Sequence, residues 1–157
     1  MIMGMTIYIG ADHRGFALKE YIKRYLTGEG HAVHDCGNST HDENDDYPDF
    51  AKQVAERVAS EPDSPRFSSG EAGVRGIVLC GSGNGVAITA NKIRGIRAAV
   101  AMTPAQARMA RSDEDANILA LAADYTNEEQ AREIIEAFLS TPFLGEERHL
   151  RRIGKIE

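Results

Sequence analysis

The sequence contains no tryptophan and only two cysteines, Cys36 and Cys80, among its 157 residues. Two cysteines in a chain of this size do not make the disulfide framework of a small secreted protein. They also form no C-x-x-C pair, which argues against a thiol redox protein. Since each cysteine lies at the end of an apolar run, both fit a reduced protein, and we expect a cytoplasmic location.

Long apolar runs and an excess of basic residues are missing as well. The apolar stretches are interrupted by Gly, Asn or Arg, and none approaches the roughly 18 residues of a membrane-spanning helix. The first five residues lack the basic region and apolar run of a signal peptide, so we expect none. Eighteen Lys and Arg against 24 Asp and Glu give a net charge of −6. This balance argues against nucleic acid and anionic membranes as partners.

What is present is an alternation of short β-branched runs with longer segments of helical period, which is typical of a parallel sheet with crossover helices. The expected strands are 6–10, 32–36, 76–80, 97–102 and 117–122. We therefore predict an α/β fold: one doubly wound, Rossmann- or flavodoxin-like domain over residues 1–157, with helices on both faces of a five-stranded parallel sheet in the order 2-1-3-4-5. Ligands should bind at the carboxyl ends of the strands.

Several local signals mark the boundaries of the elements. Capping boxes at Thr103–Gln106 and Thr126–Glu129 predict the starts of the helices after the fourth and fifth strands. A last short helix is expected over residues 146–156. The segment 61–73 is rich in Pro, Ser and Gly and predicts a surface loop.

The strongest local signal is the segment Gly81-Ser82-Gly83-Asn84-Gly85, directly after the third strand. A glycine-rich turn between a strand and a helix leaves backbone N–H groups unpaired, and such groups can hold a phosphate or a developing oxyanion. The segment lacks both the Gly-Lys-Ser/Thr of a P-loop and the third glycine of G-x-G-x-x-G, so a dinucleotide is not expected. A tight turn that binds nothing is the alternative.

Cys80 immediately precedes this glycine loop. A helix N-terminus favours a thiolate, which can act as a base or a nucleophile. Because free cysteine is among the most buried residue types, a purely structural role is equally open. Cys36 has no glycine-rich helix start beside it, and we expect it to be structural.

Asp12 and His13 follow the first strand, which neighbours the third in the predicted order. A carboxylate and an imidazole together can bind sugar hydroxyls and transfer protons, although an Asp after a strand is also a common helix cap. The acidic segment 42–46 is expected to be solvated surface, and its crowded carboxylates do not form a calcium loop. Tyr47 could place a hydroxyl in the same crevice.

One basic cluster, at Arg148, His149, Arg151 and Arg152, stands out in an acidic chain. On a helix, Arg148 and Arg152 share one face because they are four residues apart. Two arginines in this arrangement can bind a phosphate through bidentate hydrogen bonds. A solvated tail is the alternative, and we favour the anion site.

Four motifs together resemble the ribose-5-phosphate isomerase B (RpiB/LacAB) family of sugar-phosphate isomerases. They are G-A-D-H-R-G, D-Y-P, I-V-L-C-G-S-G-N-G-V-A-I-T-A-N-K and R-H-L-R-R, and in this order they span nearly the whole chain. The resemblance implies cofactor-free and metal-free interconversion of an aldose and a ketose through an enediolate. It also implies a homodimer with active sites between the subunits, or a tetramer of such dimers, that takes a phosphorylated sugar.

The resemblance also implies roles for particular residues. Cys80 corresponds to the base that moves a proton between neighbouring carbons, and Ser82 and Asp12 belong to the same catalytic group. The backbone of the glycine loop corresponds to the donors that hold the enediolate oxygens. The remaining substrate-binding positions that it implies are His13, Tyr47, Gly81, Gly83, Asn84, Gly85, Glu114, Arg148 and Arg152.

Two departures from the family bear on the substrate. Where many relatives have His-Asn-Asn before the fifth strand, this chain has Asp113-Glu114-Asp115, so Asp113 replaces the histidine that helps open the sugar ring. Asp124 stands where relatives often carry a phosphate-binding Arg. Ribose 5-phosphate is the expected substrate, and the alternatives are allose 6-phosphate, galactose 6-phosphate, a tetrulose phosphate with no ring to open, or binding of a sugar phosphate without turnover.

Overall fold

A computed structural model of the protein describes residues 4–61 and 73–156, in which strands and helices alternate. The elements are β1 (Thr6–Ala11), α1 (Phe16–Gly28), β2 (Ala32–Asp35), α2 (Tyr47–Ser60), β3 (Val74–Cys80), α3 (Asn84–Ala90), β4 (Ala98–Val100), α4 (Pro104–Glu114), β5 (Ile118–Ala122), α5 (Glu128–Ser140) and α6 (Glu147–Ile156). The predicted strands are all present, with ends that differ by up to two residues. Of the predicted surface loop 61–73, residues 62–72 lie outside the described residues.

The strands form one parallel sheet, which confirms the predicted fold class, but its order is 2-1-3-5-4. The predicted order 2-1-3-4-5 is wrong at the last two strands. Every residue of β5 is buried, whereas β4 has three residues that are all only half-buried. A fully apolar strand suits a position covered on both faces, and a short, partly exposed strand suits an edge. β5 therefore pairs with β3, and β4 lies outside it.

Helices cover both faces of the sheet, as predicted, and each face has its own apolar core. On one face, Ile7, Ile9 and Leu119 pack with residues of α1 and α5, such as Ile22 and Phe138. The core on the other face is built from the following residues of β1, α2, β3, α3 and β5: Tyr8, Val54, Val58, Val78, Val86 and Ile118. The sheet is thereby held as a rigid layer whose carboxyl edge carries the loops described below.

Side-chain caps fix the starts of two helices. Thr103 accepts a hydrogen bond from the N–H of Gln106 at the start of α4, as predicted. For α5 the predicted box at Thr126 is displaced by one residue: Asn127 is the cap and forms a reciprocal pair with Gln130. The Asn side chain caps as well as Thr does, so the two possible registers could not be separated from the sequence.

A cluster of charges anchors the end of β2 to α1. The fully buried Lys19 donates through Nζ to Asp35 Oδ2 and to Glu20 Oε1, each at 2.7 Å, and Lys23 donates to the same oxygen of Asp35 at 2.6 Å. Burial alone would raise the pKa of Asp35, but the hydrogen bonds from the two lysines lower it. Asp35 Oδ1 in turn accepts the N–H of Gly37 at 2.8 Å. The network fixes the start of the segment that leads to Asp45 and Tyr47.

Within the described ranges, no helix combines the length and the apolar character needed to cross a membrane.

His31 ties the chain after α1 to the start of β1. Its side chain is buried, and Nδ1 accepts the N–H of Met5 at 3.0 Å. Burial lowers the pKa of His31 below its usual 6.5, against a smaller opposing effect of Glu29. Since the unfolded chain takes up the proton at higher pH than the folded chain, the stability due to neutral His31 is present above the unfolded pKa. It decreases as the pH falls below that value.

We therefore expect the free energy of unfolding to decrease more steeply from about pH 7 to about pH 5 in the wild type than in His31→Gln, whose side chain does not titrate. Denaturant unfolding at several pH values measures the two slopes. Equal slopes would show that His31 contributes nothing to the acid sensitivity of the fold.

Candidate active site

The glycine loop, residues 81–85, joins β3 to α3 and is organised by its own side chains. Cys80 is buried, and its Sγ accepts the N–H of Gly83 at 3.2 Å. The exposed Ser82 accepts the N–H of Asn84 through Oγ at 3.3 Å. Gly83 has a φ of 75°, in the left-handed region that favours glycine, and this bend turns the chain into α3. The loop thus presents a thiol, a hydroxyl and a series of amides at one place.

The segments after β1 and β5 are hydrogen-bonded to the end of β3. The Asp12 N–H donates to Leu79 O at 3.4 Å, the Ala123 N–H to Cys80 O at 2.9 Å and the Asp124 N–H to Gly81 O at 3.1 Å. Asp12 and His13 therefore lie beside Cys80, as predicted. Asp12 Oδ1 also accepts the N–H of Gly15 at 3.1 Å, so the alternative role of Asp12 as a turn cap is present too.

His13 forms a dyad with Asp45, which comes from the loop between β2 and α2. Asp45 Oδ1 lies 2.8 Å from Nδ1 of His13 and accepts the backbone N–H of the same residue at 2.9 Å. The hydrogen bond to Asp45 raises the pKa of His13. Burial alone would raise the pKa of Asp45, but hydrogen bonds from His13 and Asn38 lower it. The geometry therefore favours a cationic ring with its Nε2 turned away from the carboxylate.

Asp45 is a functional candidate that the sequence did not reveal. The segment 42–46 was expected to be solvated surface, and this holds for its other members, which are exposed. The Asp45 side chain is only 5% exposed. Five polar residues in a row offer no periodicity, so nothing in the sequence distinguishes the one that turns inward.

Tyr47, the first residue of α2, packs on the glycine loop. A Cβ atom placed on Gly85 would lie 2.6 Å from both Cε2 and Cζ of the Tyr47 ring, so only a glycine at this position lets the ring approach. The ring is 40% exposed. The predicted placement of the Tyr47 hydroxyl in the crevice is consistent with this contact.

Arg14 also lies over the loop, although no role was predicted for it. A Cβ atom on Gly81 would lie 2.5 Å from Cζ of Arg14 and 2.6 Å from its Nε. Nη2 of Arg14 forms an ion pair with Oδ2 of Asp124, which lies after β5. Opposite charges after two strands are a signal in the sequence for such an ion pair. The pair can be predicted only if β1 and β5 are known to lie on either side of β3.

The predicted site residues on α4 and α6 lie away from the carboxyl edge of the sheet. Asp113 and Glu114 end α4, directly before β5, whereas the end of β5 at Ala122 pairs with Cys80. Five residues of parallel strand separate the two edges of the sheet by about 16 Å. Asp113 accepts a hydrogen bond from Ser112 at 2.7 Å and lies 3.9 Å from Nε2 of His149 on α6.

Arg148 and Arg152 are exposed on α6, which packs against α4, and Arg148 pairs with Glu146 at 3.0 Å. Within one chain these arginines are therefore associated with the Asp113 end of α4 and not with the glycine loop. Cys36 is half-buried, and burial raises the pKa of its thiol, which fits the predicted structural role. In the part of the chain that the structure describes, no three or more His, Cys, Asp or Glu side chains are grouped so that they could hold a metal ion.

Comparison with known proteins gives a consistent set of relatives. The sequence pattern of the family described as Ribose/Galactose Isomerase matches residues 7–156. Ribose-5-phosphate isomerase B of Mycolicibacterium paratuberculosis is 40% identical over 149 residues, which cover 95% of this chain and 87% of that protein.

Two solved structures are similar over nearly all of the chain. A ribose 5-phosphate isomerase of Thermotoga maritima is 45% identical, with a TM-score of 0.86 and 97% of each chain covered. Ribose-5-phosphate isomerase B of Mycoplasma genitalium, with bound ribulose-5-phosphate, is 38% identical, with a TM-score of 0.87. That match covers 98% of this chain and 95% of the other.

The His13–Asp45 dyad leads to a direct test. In Asp45→Asn the amide cannot supply the negative charge that favours the imidazolium, so the pKa of His13 should decrease towards its usual value of 6.5. An NMR titration of the ring proton signals measures it. Asp42→Asn removes the same charge from an exposed position of the loop and should leave the titration of His13 almost unchanged. An equal effect of both variants would contradict a specific dyad.

Proposed function

The chain belongs to the ribose/galactose isomerase family and is an aldose–ketose isomerase, and we propose that it interconverts ribose 5-phosphate and ribulose 5-phosphate with Cys80 as the base. The observation that carries the proposal is the arrangement around the glycine loop. A buried thiol, loop amides, the His13–Asp45 dyad and the Tyr47 ring meet at the carboxyl edge of the sheet. This edge is where ligands of doubly wound sheets bind.

The chemistry requires one proton to move between adjacent carbons. The Cys80 thiolate takes the proton from the carbon next to the carbonyl, and the electron pair of that C–H bond forms the enediolate. The same thiol then returns the proton to the neighbouring carbon, while the hydroxyl proton passes from its oxygen to the former carbonyl oxygen, so that hydroxyl and carbonyl exchange places. The Gly83 N–H donates to Sγ of Cys80, and such a hydrogen bond is stronger to a thiolate than to a thiol. No metal or organic cofactor takes part in these steps.

Charge that develops on the two enediolate oxygens needs preorganised donors. Ser82 Oγ and the N–H groups of Gly83, Asn84 and Gly85 are concentrated in one turn, and two of these amides bond only to side chains of the same loop. They can therefore turn to the substrate without breaking helix or sheet hydrogen bonds, the Gly83 N–H once Cys80 has taken up the proton and the charge has left the sulfur. Donors aimed at a developing oxyanion typically supply a large part of the rate enhancement. Asp12 and Tyr47 border the same turn and contact the sugar hydroxyls.

The arginines for the phosphate come from a second subunit. Arg148 and Arg152 belong to α6, which packs on α4 with Asp113 and Glu114, at the sheet edge opposite Cys80. A complete site therefore combines the glycine loop of one chain with the α4–α6 end of another, which requires at least a homodimer. Asp113 of the second chain would then assist ring opening, for which an ionised carboxylate is less suited than an imidazole. A tetrulose phosphate, which has no ring, is the second candidate substrate for this reason.

Heavy-water NMR with a panel of sugar phosphates tests the reaction and the substrate together. The panel contains ribose 5-phosphate, allose 6-phosphate, galactose 6-phosphate and erythrulose 4-phosphate. Interconversion of ribose 5-phosphate with deuterium entering next to the carbonyl would support the proposal. Reaction of the open-chain sugar alone would assign the tetrulose phosphate instead. Binding without exchange of any of the four sugars would indicate a sensor and contradict the enzymatic proposal.

Replacement of the base should abolish most of the turnover. We expect Cys80→Ala to lower kcat by about a hundredfold to ten-thousandfold, the range over which a positioned base contributes. Cys36→Ala is the matched control, because it removes the other thiol, which is half-buried, and its kcat should stay within about twofold. Coupled-assay kinetics on both purified variants provide the measurement. A Cys80→Ala enzyme with nearly full activity would remove Cys80 from the mechanism.

A mixing experiment tests whether sites are shared between chains. Cys80→Ala and the double variant Arg148→Ala/Arg152→Ala should each be inactive, but in a mixed dimer one of the two sites has no defect. Subunit exchange should restore roughly a quarter of the wild-type activity, because half of the randomly formed dimers are mixed and each has one intact site. Mixing Cys80→Ala with Ser82→Ala places both defects on the same loop and should restore nothing. No recovery in the first mixture would contradict the shared site.

A further inference from the structure

Arg14 is a second positive group at the mouth of the site, next to His13. Its guanidinium lies on the Gly81 peptide, one residue after Cys80, and its side chain is 56% exposed. Among the described residues, the pair with Asp124 is the one polar contact of this guanidinium, so its other N–H donors have no partner among them.

The contacts of Arg14 are poorly explained by stability alone. An ion pair between exposed side chains contributes little to the stability of a fold. Yet the pair confines a long, flexible side chain to one location over the loop, where Gly81 leaves just enough room for it. Asp124 itself is fixed, because its N–H donates to Gly81 O at 3.1 Å. The arrangement therefore holds a planar, permanently charged donor group beside the reacting centre.

We propose that Arg14 binds the phosphate of the substrate, as the cation that this chain itself contributes to that end of the site. The inference rests on the proposed function and names a residue to which that function gives no role. The enediolate oxygens face the amides further along the loop, from Gly83 to Gly85, whereas Arg14 covers its beginning at the exposed rim. A phosphate dianion fits the fork of a guanidinium, which can donate two parallel hydrogen bonds.

The neighbouring charges agree with this assignment. His13 lies next to Arg14 in the chain, and its hydrogen bond with Asp45 raises its pKa. The permanently charged Arg14 and a His13 with a raised pKa, each held by a carboxylate from another loop, form a positive rim in a protein with a net charge of −6. An anion that approaches the glycine loop meets this rim first.

Calorimetric titration with inorganic phosphate tests the assignment without relying on turnover. We expect Arg14→Ala to raise the Kd for phosphate about tenfold or more, since charge-assisted hydrogen bonds are lost. Arg14→Lys keeps the charge without the planar fork and should lie between Arg14→Ala and the wild type. Arg132→Ala, on α5, removes an exposed arginine that also pairs with a carboxylate, and should bind phosphate like the wild type. Thermal melting verifies that each variant is folded.

Kinetics with the sugar phosphate identified by NMR then show whether Arg14 acts on the phosphate or on the reacting carbons. For Arg14→Ala we expect a KM increase of about tenfold or more with a kcat changed by less than about threefold. A large loss of kcat with unchanged phosphate binding would place Arg14 on the enediolate and overturn the proposal. Equal phosphate affinity in wild type and Arg14→Ala would overturn it as well. If no sugar is turned over, the calorimetry still decides the role of Arg14, so failure of the proposed function is distinguishable.

Discussion

The site depends on backbone hydrogen bonds that join the loops after β1 and β5 to the end of β3. The chain after β1 donates to Leu79 O, and the chain after β5 donates to Cys80 O and Gly81 O. These bonds join three loops into one surface around the thiol. Because β1, β3 and β5 are buried in two apolar cores, the positions of the loops follow from the rigid layer beneath them. The loops that carry the chemistry are thereby placed by backbone contacts with the end of β3.

A second common feature is that each cation at the site is restrained by a carboxylate from a different segment. Asp45 holds His13, and Asp124 holds Arg14. Further from the site, Asp35 holds Lys19 and Lys23 in the same way and fixes the segment that carries Asp45. An acidic chain can thus present a locally positive rim, because each carboxylate pairs with only part of the donor atoms of its cation. Net charge alone gave no indication of this local field.

Much of the fold could be predicted from the sequence, because apolar periodicity and turn residues are local signals. The strands and helices were correctly expected, and the positions of Asp12 beside the end of β3 and of Tyr47 on the glycine loop agree with the expected crevice. The order of β4 and β5 was not, since it depends on which strand is buried on both faces, and a run of six residues from Arg97 to Met102 looked as strand-like as Asn117 to Ala122. Asp45 and Arg14 were missed for a related reason: their roles arise from partners 32 and 110 residues away in the chain.

The contact between Arg14 and Gly81 also limits which substitutions the glycine loop accepts. A side chain at position 81 and a guanidinium over the loop exclude each other, as do a side chain at position 85 and the Tyr47 ring. Each glycine therefore makes room for the group above it: a side chain at position 81 or 85 requires that group to move or to be replaced, whereas a smaller residue at position 14 or 47 leaves the glycine unaffected. A mutant library that varies position 81 or 85 alone would therefore displace the guanidinium or the ring from the loop, whereas one that also varies residues 14 and 47 would sample replacements that fit together.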